Sequence, residues 1–461
     1  MNIIIAGDGE VGFHLAKQLT ELSFNITVVD PHSELLKQLE SESDLLTIAG
    51  EATSPRILEE ANVRECDLFL AVLHDESVNL MACCLARKLG AKKTVARVSN
   101  AELLGERHRS MFRELGVDEM VCPERIAAKE ITNLLNNNVA TETFDFTGGL
   151  LTMYLLRLDR GSAVVGLSVK DLSQTYHSLR AHIVATVRNG ETIIPHADFV
   201  FREGDLAYII SERQQLDEIK KVVGKETVKV KNAMIAGGGR IGRYAALTLK
   251  DRLSITLIEE DRRRCSELSE ILGNTLIING DATDIDLLKE EGLANQDAFI
   301  AVTNSSETNV LTCLHAKQLG VKKTIALVEN TGFISLSQDI GIDTIINKKL
   351  ITASYIARFI VTAEAVSSKW LSGTNAELIE FVVGKRSAAT RKPIGELKVP
   401  HDATIGGIVR DDKVLLPSRD TQLAAGDRVV VFMLPKVMAQ VARLFKGNDI
   451  PFFSNLDSDS L

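Results

Sequence analysis

The sequence lacks any long apolar run. A membrane-spanning helix needs about eighteen consecutive apolar residues, and no stretch of this sequence approaches that length. Met1 and Asn2 lead directly into a strand pattern, without the basic segment that opens a secretion signal. These absences predict a protein that neither spans a membrane nor is secreted.

Cysteine is scarce, and its spacing contains no metal motif. The sequence has six cysteines and no C-x-x-C pair. This pattern predicts free thiols in a reducing compartment and no zinc site. The six residues are Cys66, Cys83, Cys84, Cys122, Cys265 and Cys313.

Basic residues are fewer than acidic ones, with 53 Lys and Arg against 62 Asp and Glu, and the formal net charge is -9. This balance argues against a broad nucleic-acid-binding face and predicts no nucleic-acid partner. A hydrophobic content of 45% and a charged content of 25% are those of an ordinary globular protein. The length of 461 residues exceeds one hydrophobic core and suits several domains.

A glycine pattern occurs twice. IIIAGDGEVGFHLA at 3–16 returns as AMIAGGGRIGRYAA at 233–246, and the apolar runs after each copy match in order and spacing. Such self-similarity indicates a duplicated domain of roughly 130 residues. Each copy alternates short Ile- and Val-rich runs with helical periodicity, which predicts β-α-β-α-β segments and a parallel sheet covered by helices on both faces.

A smaller β-rich unit follows each copy. VRNGETIIP in the first half pairs with VRDDKVLLP in the second, and REGDLAYII pairs with AAGDRVVVF. The predicted fold class is therefore α/β, a tandem duplication of a Rossmann-like doubly wound domain plus a small β-rich α+β domain. The first large domain is predicted at 1–138 and the first small domain at 139–224. A linker follows at 225–231. The second large domain is predicted at 232–366 and the second small domain at 367–461.

The context of each glycine loop predicts a dinucleotide site. Gly7, Gly9 and Gly12 lie between a strand and a helix, and Asp30 ends the next strand about twenty residues later. In this arrangement a pyrophosphate rests on the helix N-terminus, and the carboxylate accepts bonds from ribose hydroxyls and repels a 2′-phosphate. The pattern favours NAD or ATP over NADP. A glycine turn made only for packing is the alternative.

The second copy repeats these features, with Glu259 as the acid at the end of the second strand. Three arginines follow closely and weaken the exclusion of a 2′-phosphate by Glu259; they are Arg262, Arg263 and Arg264. The candidate nucleotide-binding residues share a position at the glycine loops or at the carboxyl ends of the predicted strands. They are Gly7, Asp8, Gly9, Glu10, Val11, Gly12, Asp30, Gly50, Glu51, Ala52, Leu73, His74 and Arg97 in the first copy, and Gly237, Gly238, Gly239, Arg240, Ile241, Gly242, Glu259, Gly280, Asp281, Ala282 and Thr303 in the second.

Several of these residues also have explanations without a ligand. Gly50-Glu51-Ala52 and Gly280-Asp281-Ala282 fit plain strand-end turns as well as an adenine contact. Asp75, Ser77 and Asn79 precede a helical pattern, and helix capping by Asp or Ser is favoured over ligand binding as their explanation. Arg97 ends the fifth predicted strand and has two interpretations. It either pairs with a surface carboxylate or reaches a phosphate of the ligand.

The two copies are not chemically equal. Leu327 replaces Arg97, Arg240 aligns with Glu10, and Asn304 aligns with His74. An arginine in the loop favours a terminal phosphate, whereas a glutamate there repels one. We therefore expect the second site to prefer ATP or ADP and the first to prefer NAD(H), unless both side chains point to solvent and the sites bind alike.

The sequence offers no catalytic set. His182 and His196 of the first small domain align with Thr404 and Ser418 of the second, and Lys170 has no evident partner. This argues against an NAD-dependent oxidoreductase, the main alternative function. A redox-sensing transcription regulator would need a helix-turn-helix, which the sequence lacks.

With these motifs, the chain resembles the TrkA family, the cytosolic subunits of bacterial Trk potassium uptake systems, over essentially its whole length. The resemblance implies two RCK units, each a nucleotide-binding RCK-N domain followed by a small RCK-C domain. It also implies NAD(H) and ATP/ADP at the two loops. Family members often carry a second arginine shortly after the position of Arg97, where this chain has Ser99.

The resemblance further implies a regulatory, non-enzymatic protein in a homotetramer, which forms a cytosolic gating ring under a Trk-type membrane potassium channel. The expected location is the cytoplasm, peripheral to the inner face of the cell membrane. The helical runs at 123–138 and 347–366 are candidate subunit contacts, with packing inside the chain as the open alternative.

Overall fold

The computed structural model describes residues 1–7, 9–21, 24–136, 142–177, 179–224, 230–330, 333–334, 340–357, 365–371 and 376–445. The chain divides into two compact units. The first unit comprises residues 1–127 and 348–360, and the second unit comprises 128–347 and 361–461. No helix among the described residues has both the length and the apolarity to cross a membrane.

The first unit contains a six-stranded parallel sheet with the strand order β3-β2-β1-β4-β5-β6. Its central strands are almost wholly buried, as expected for a sheet covered on both faces. The strands are β1 (Asn2–Ala6), β2 (Asn25–Asp30), β3 (Leu46–Ala49), β4 (Leu68–Ala71), β5 (Thr94–Arg97) and β6 (Glu119–Val121).

Helices connect these strands. Asp75 caps one of them by accepting bonds from the backbone N–H groups of Ser77 and Val78. The last helix, α6, begins in the first unit and continues into the second. The helices are α1 (Glu10–Glu21), α2 (Ser33–Glu42), α3 (Pro55–Glu60), α4 (Glu76–Leu89), α5 (Glu106–Glu114) and α6 (Pro123–Asn136).

A small antiparallel sheet follows, with the order β10-β9-β11-β8-β7. Its hairpin turns where Asn189 and Gly190 both adopt positive φ, the conformation that a two-residue turn requires. We call this the first small domain. Its elements are β7 (Glu142–Phe146), β8 (Leu151–Arg157), α7 (Val169–Thr175), β9 (Ala181–Arg188), β10 (Glu191–Ile193), β11 (Leu206–Glu212) and α8 (Leu216–Val223).

The second unit contains the second parallel sheet, whose order β14-β13-β12-β15-β16-β17 repeats that of the first. Its strands are β12 (Asn232–Ala236), β13 (Ser254–Glu259), β14 (Leu276–Asn279), β15 (Ala298–Ala301), β16 (Lys323–Leu327) and β17 (Thr344–Ile346). The helices that follow β12, β13, β14, β15 and β17 are α9 (Arg240–Leu249), α10 (Arg262–Leu272), α11 (Ile285–Glu290), α12 (Ser306–Gln318) and α13 (Lys348–Ala357).

The second small domain repeats the antiparallel sheet, with the order β18-β19-β22-β20-β21. The two small sheets share one hydrophobic core, in which the rings of Tyr208 and Phe432 are 6.4 Å apart. The elements are β18 (Ala365–Trp370), β19 (Glu377–Val382), β20 (Ala403–Arg410), β21 (Lys413–Leu415), β22 (Arg428–Met433) and α14 (Met438–Phe445). The predicted fold class is confirmed, with six parallel strands in each large sheet.

Helix α13 packs against α1 in the first unit, although it follows the second sheet in sequence. Packing inside the chain therefore accounts for the described part of the run at 347–366. Residues 358–364 of that run and residues 225–229 of the predicted linker lie outside the described residues.

All six cysteines are unpaired thiols, in agreement with the sequence prediction. Five of them are buried. Burial raises the pKa of the Cys66 thiol to about 12 and that of Cys122 to about 11. At neutral pH these two thiols are therefore protonated and unreactive.

Candidate functional site

The first cleft lies at the carboxyl ends of β1 and β4, where the strand order of the sheet reverses. Gly7 has φ +119°, and a Cβ on Gly12 would lie only 1.8 Å from the Gly7 carbonyl oxygen. The second cleft, at the ends of β12 and β15, repeats this geometry with Gly237 and Gly242. Packing of the helix on the turn explains these glycines without a ligand.

The middle glycine of each loop has no such explanation. A Cβ on Gly239 would meet no atom within 4 Å, and a Cβ on Gly9 would approach only His74 Nε2, at 3.9 Å. The protein itself therefore does not require glycine there. In a Rossmann loop this bare backbone is the surface that a pyrophosphate approaches, at the N-terminus of the following helix.

Asp30 ends β2 beside the first glycine loop. Its side chain is 4% exposed, and Oδ1 accepts a hydrogen bond from the backbone N–H of His32 at 2.9 Å. The same oxygen lies 2.7 Å from His32 Nδ1. Sequence reasoning missed His32, although its place two residues after the acid is the available signal. The carboxylate is fixed at the predicted ribose position.

Glu259 occupies the matching position in the second cleft and is 5% exposed. Its Oε2 accepts a hydrogen bond from the Gly238 N–H at 2.8 Å, and its Oε1 accepts one from Asp261 at 3.0 Å. Arg264 Nη1 lies 3.5 Å from Oε2. A cation thus stands beside this acid, and the carboxylate is bonded to the glycine loop itself.

The third strands place their terminal glycines next to these acids. The Gly50 N–H donates to the Asp30 carbonyl and the Gly280 N–H donates to the Glu259 carbonyl, both at 3.0 Å. Glu51 and Asp281 are exposed, whereas Ala52 and Ala282 are buried. Asp281 also accepts a hydrogen bond from the Thr283 N–H at 2.7 Å. This bond forms the strand-end turn that the sequence offered as the alternative to an adenine contact.

A buried asparagine closes the floor of each cleft. Asn79 accepts a bond from the Leu73 N–H at 2.9 Å and donates to the carbonyls of Leu73 and Arg97, both at 2.9 Å. Asn309 makes the same bonds to Thr303 and Leu327. The capping explanation is confirmed for Asp75, whereas Ser77 and Asn79 lie inside α4, which begins at Glu76.

Arg97 lies at the end of β5 and is largely buried. Its Nη2 is 3.9 Å from Glu124 Oε1, and the two side chains are 13% and 8% exposed. Glu124 stands in the first turn of α6 and was not identified from the sequence. In the second sheet the aligned Leu327 is buried. Ser99 donates its backbone N–H to Glu76 at 2.7 Å.

The structure describes the loop charge in the second cleft but not in the first. Arg240 is exposed at the start of α9, and Val11 and Ile241 are each 6% exposed. Asp8 lies outside the described residues, and the structure does not describe the Glu10 side chain. The predicted difference in phosphate preference therefore stays a prediction.

Family models match both halves of the chain. The TrkA-N domain model matches residues 3–123 and 233–348, and the TrkA-C domain model matches residues 153–224 and 378–446. The chain belongs to the TrkA family. The family resemblance inferred from the glycine loops is thereby confirmed.

Relatives within the TrkA family match over almost the full length. The Trk system potassium uptake protein TrkA homolog of Archaeoglobus fulgidus is 34% identical over 449 residues, which cover 97% of this chain and 100% of that protein. The TrkA of Vibrio alginolyticus is 30% identical over 460 residues, which cover 98% of this chain and 100% of that protein.

Solved structures share the fold of this TrkA chain. The crystal structure of the GsuK RCK domain has a TM-score of 0.59 at 19% identity, over 96% of this chain and 94% of that chain. The GsuK channel bound to NAD has a TM-score of 0.60 at 20% identity, over 96% of this chain and 78% of that chain. At these identities the likeness establishes the fold of tandem RCK units alone.

Proposed function

We propose that this TrkA chain is a nucleotide-binding regulatory subunit of a potassium uptake system. NAD(H) binds in the first cleft, and ATP or ADP binds in the second. The relatives that match over the full length are named potassium uptake proteins, and a channel of the same fold is described as bound to NAD. The observation that carries nucleotide binding is the middle glycine of each loop, which no protein neighbour requires.

The described residues fit a dinucleotide in the first cleft. The turn from Gly7 to Gly12 and the N-terminus of α1 receive the pyrophosphate, since free N–H groups and the helix dipole favour an anion there. Asp30 accepts bonds from the ribose hydroxyls, and Gly50 to Ala52 lie on the adenine side because Gly50 is bonded to the Asp30 backbone. His74, near Gly9, borders the phosphate region.

The pair of Arg97 and Glu124 supplies a route from the cleft to the rest of the chain. A ligand phosphate competes with Glu124 for the guanidinium, because phosphate forms bidentate bonds with arginine. Releasing Glu124 changes the first turn of α6, the helix that continues into the second unit. Nucleotides of different charge thereby stabilise different conformations.

The regulated partner is a Trk-type membrane potassium channel. The chain acts as a homotetramer, a gating ring in the cytoplasm at the inner face of the membrane. Moving such a ring from mostly closed to mostly open takes a differential affinity of about 5 kcal/mol, which several coupled clefts share. The test is potassium flux through the reconstituted channel with and without this chain at fixed NADH, NAD, ATP and ADP concentrations.

Nucleotide binding is tested by calorimetry of NADH with the full-length chain. Asp30→Ala removes a charge-assisted bond to the ribose and weakens NADH binding by about 1 to 3 kcal/mol. The control is His32→Ala, which keeps the carboxylate. Equal NADH affinity in the wild type and in Asp30→Ala contradicts the assignment of the first cleft.

The subunit is proposed to have no enzymatic activity. An oxidoreductase needs a proton donor or base facing the nicotinamide, and the first TrkA-C region's His182 and His196 are not repeated in the second, where Thr404 and Ser418 align. The purified chain is therefore expected to bind NADH without consuming it. Sustained loss of NADH absorbance with any small carbonyl compound overturns the regulatory assignment.

A further inference from the structure

The two small domains meet along one continuous interface. Their sheets share a core that includes Tyr208 and Phe432. The backbone N–H of Thr147 donates to Glu380 Oε2 at 3.0 Å, and Arg180 Nη2 donates to the Val414 carbonyl at 2.7 Å. These contacts hold the two domains in a defined register, so side chains at the edge of the interface face each other reproducibly.

Two histidines face each other across this interface. His196 follows β10 in the first small domain, and His401 precedes β20 in the second. Their Nε2 atoms are 3.1 Å apart, and their ring centroids are 4.8 Å apart with an interplanar angle of 55°. Both side chains are exposed, so an ion can reach the pair from solvent.

The distance between the two Nε2 atoms matches the distance between two imidazole nitrogens bound to one divalent transition-metal ion. Imidazole nitrogen binds zinc at about 2.0 to 2.1 Å. Two such nitrogens on one ion are about 2.9 Å apart at a right angle and about 3.4 Å apart at the tetrahedral angle. The observed 3.1 Å lies between these values, so small ring rotations accommodate either geometry.

The neighbouring charges suit a metal ligand. His401 Nδ1 is 4.0 Å from Asp402 Oδ1, and Lys436 Nζ holds Asp402 Oδ2 at 2.9 Å. A carboxylate on the Nδ1 side is the usual partner of an imidazole that binds metal through Nε2. Among the described residues no group of three or more His, Cys, Asp or Glu side chains could hold a metal ion, so an ion on this pair would take its remaining ligands from water.

We propose that His196 and His401 bind one divalent transition-metal ion, such as nickel or zinc, which links the two small domains. The repeat relation supports a single site per chain. Ser418 is the counterpart of His196, and Leu179 is the counterpart of His401, so the duplicated position has no imidazole. A simple hydrogen bond between two neutral rings is the competing explanation.

The test is calorimetric titration of Ni²⁺ into the full-length chain at pH 7.5, because the metal binds the neutral form of imidazole. We expect about one Ni²⁺ per chain, and His196→Ala and His401→Ala each weaken binding by about tenfold or more. His177→Ala, which removes an exposed histidine of the first small domain, keeps wild-type binding. Mg²⁺ gives no heat, because it prefers oxygen ligands.

A thermal measurement tests the link between the domains. Ni²⁺ binding to the native state raises the unfolding midpoint of the wild type and of His177→Ala, but not that of either variant of the pair. A cooperative unfolding transition in each variant shows that it is folded. Nickel binding that is absent from the wild type, or equally strong in all three variants, overturns the metal site and leaves a hydrogen bond.

Discussion

At the scale of single residues, one buried asparagine supports the carboxyl edge of each large sheet. Asn79 and Asn309 are completely buried, and each bonds the ends of two neighbouring strands. Their amide groups satisfy backbone atoms that would otherwise be buried without partners. The protein's own hydrogen bonds therefore hold the carboxyl edge of each sheet.

Asn79→Ala and Asn309→Ala are expected to lower the free energy of unfolding by about 2 to 4 kcal/mol, because each leaves buried backbone groups without hydrogen-bond partners. Chemical unfolding of the full-length chain measures this loss. Asn304→Ala, at an exposed position, is the matched control. A loss no larger than that of the control contradicts the structural role.

The sequence was enough to predict residues whose role is local. Gly7, Gly12 and Asp30 follow from spacing, since one strand, one turn and one helix determine their positions. Asn79 and Arg97 were not predictable to the same degree. Asn79 bonds across two strands, and Arg97 meets Glu124 from another element, so both roles depend on tertiary packing.

At the scale of elements, helix α1 packs against α13 and carries His14. His14 lies on α1, and its buried Nε2 has no hydrogen-bond partner. Burial, together with the charges of Lys349 and Lys17, lowers the pKa of His14 to about 4. Lys349 belongs to α13, so the neutral imidazole is part of the packing between these two helices.

Because this pKa lies below the ordinary value of about 6.5, the unfolded chain binds the proton first, and stability is lost as pH falls from about 6.5 toward 4. His14→Gln is expected to remove about 2 kcal/mol of the stability loss between pH 7 and pH 5. Chemical unfolding at both pH values measures it. His177→Gln should behave as the wild type, and an unchanged pH dependence in His14→Gln contradicts the prediction.

Periodicity predicted that the run at 347–366 contains a helix, but not which surface the helix covers. An apolar helical face packs equally well on a neighbouring subunit or on the same chain, so the sequence left both open. The structure places α13 on α1 of the same chain. The doubly wound parallel sheet was easier to predict, because a glycine loop between a strand and a helix already indicates it.

At the scale of the whole molecule, the duplicated clefts carry different cations. Arg97 lies at the strand-five edge of the first cleft and pairs with Glu124. In the second cleft Arg264 lies beside Glu259, and Arg240 is exposed at the start of α9. The described cations of the two clefts thus differ, and the proposal that the clefts bind different nucleotides rests partly on this difference.

Arg240→Glu is expected to weaken ATP binding to the second cleft by about 1.5 to 3 kcal/mol, because a charge-assisted bond to a phosphate is replaced by repulsion. NADH binding to the first cleft should not change. Calorimetry with the full-length chain is required, since residues 348–360 belong to the first unit and a chain ending at 224 lacks them. Equal ATP affinity in the variant shows that the loop charge does not select the nucleotide.

The placement of α13 on α1 also sets the order of events during synthesis. The ribosome releases α13 roughly 220 residues after the rest of the first unit, a delay of about 10 to 40 s at typical elongation rates. During that time the surface of α1 around His14 is uncovered in the nascent chain. The first sheet therefore awaits its last helix while the following domains emerge, and in this interval the nascent chain is open to chaperone binding and to pairing with a neighbouring copy on the same messenger RNA.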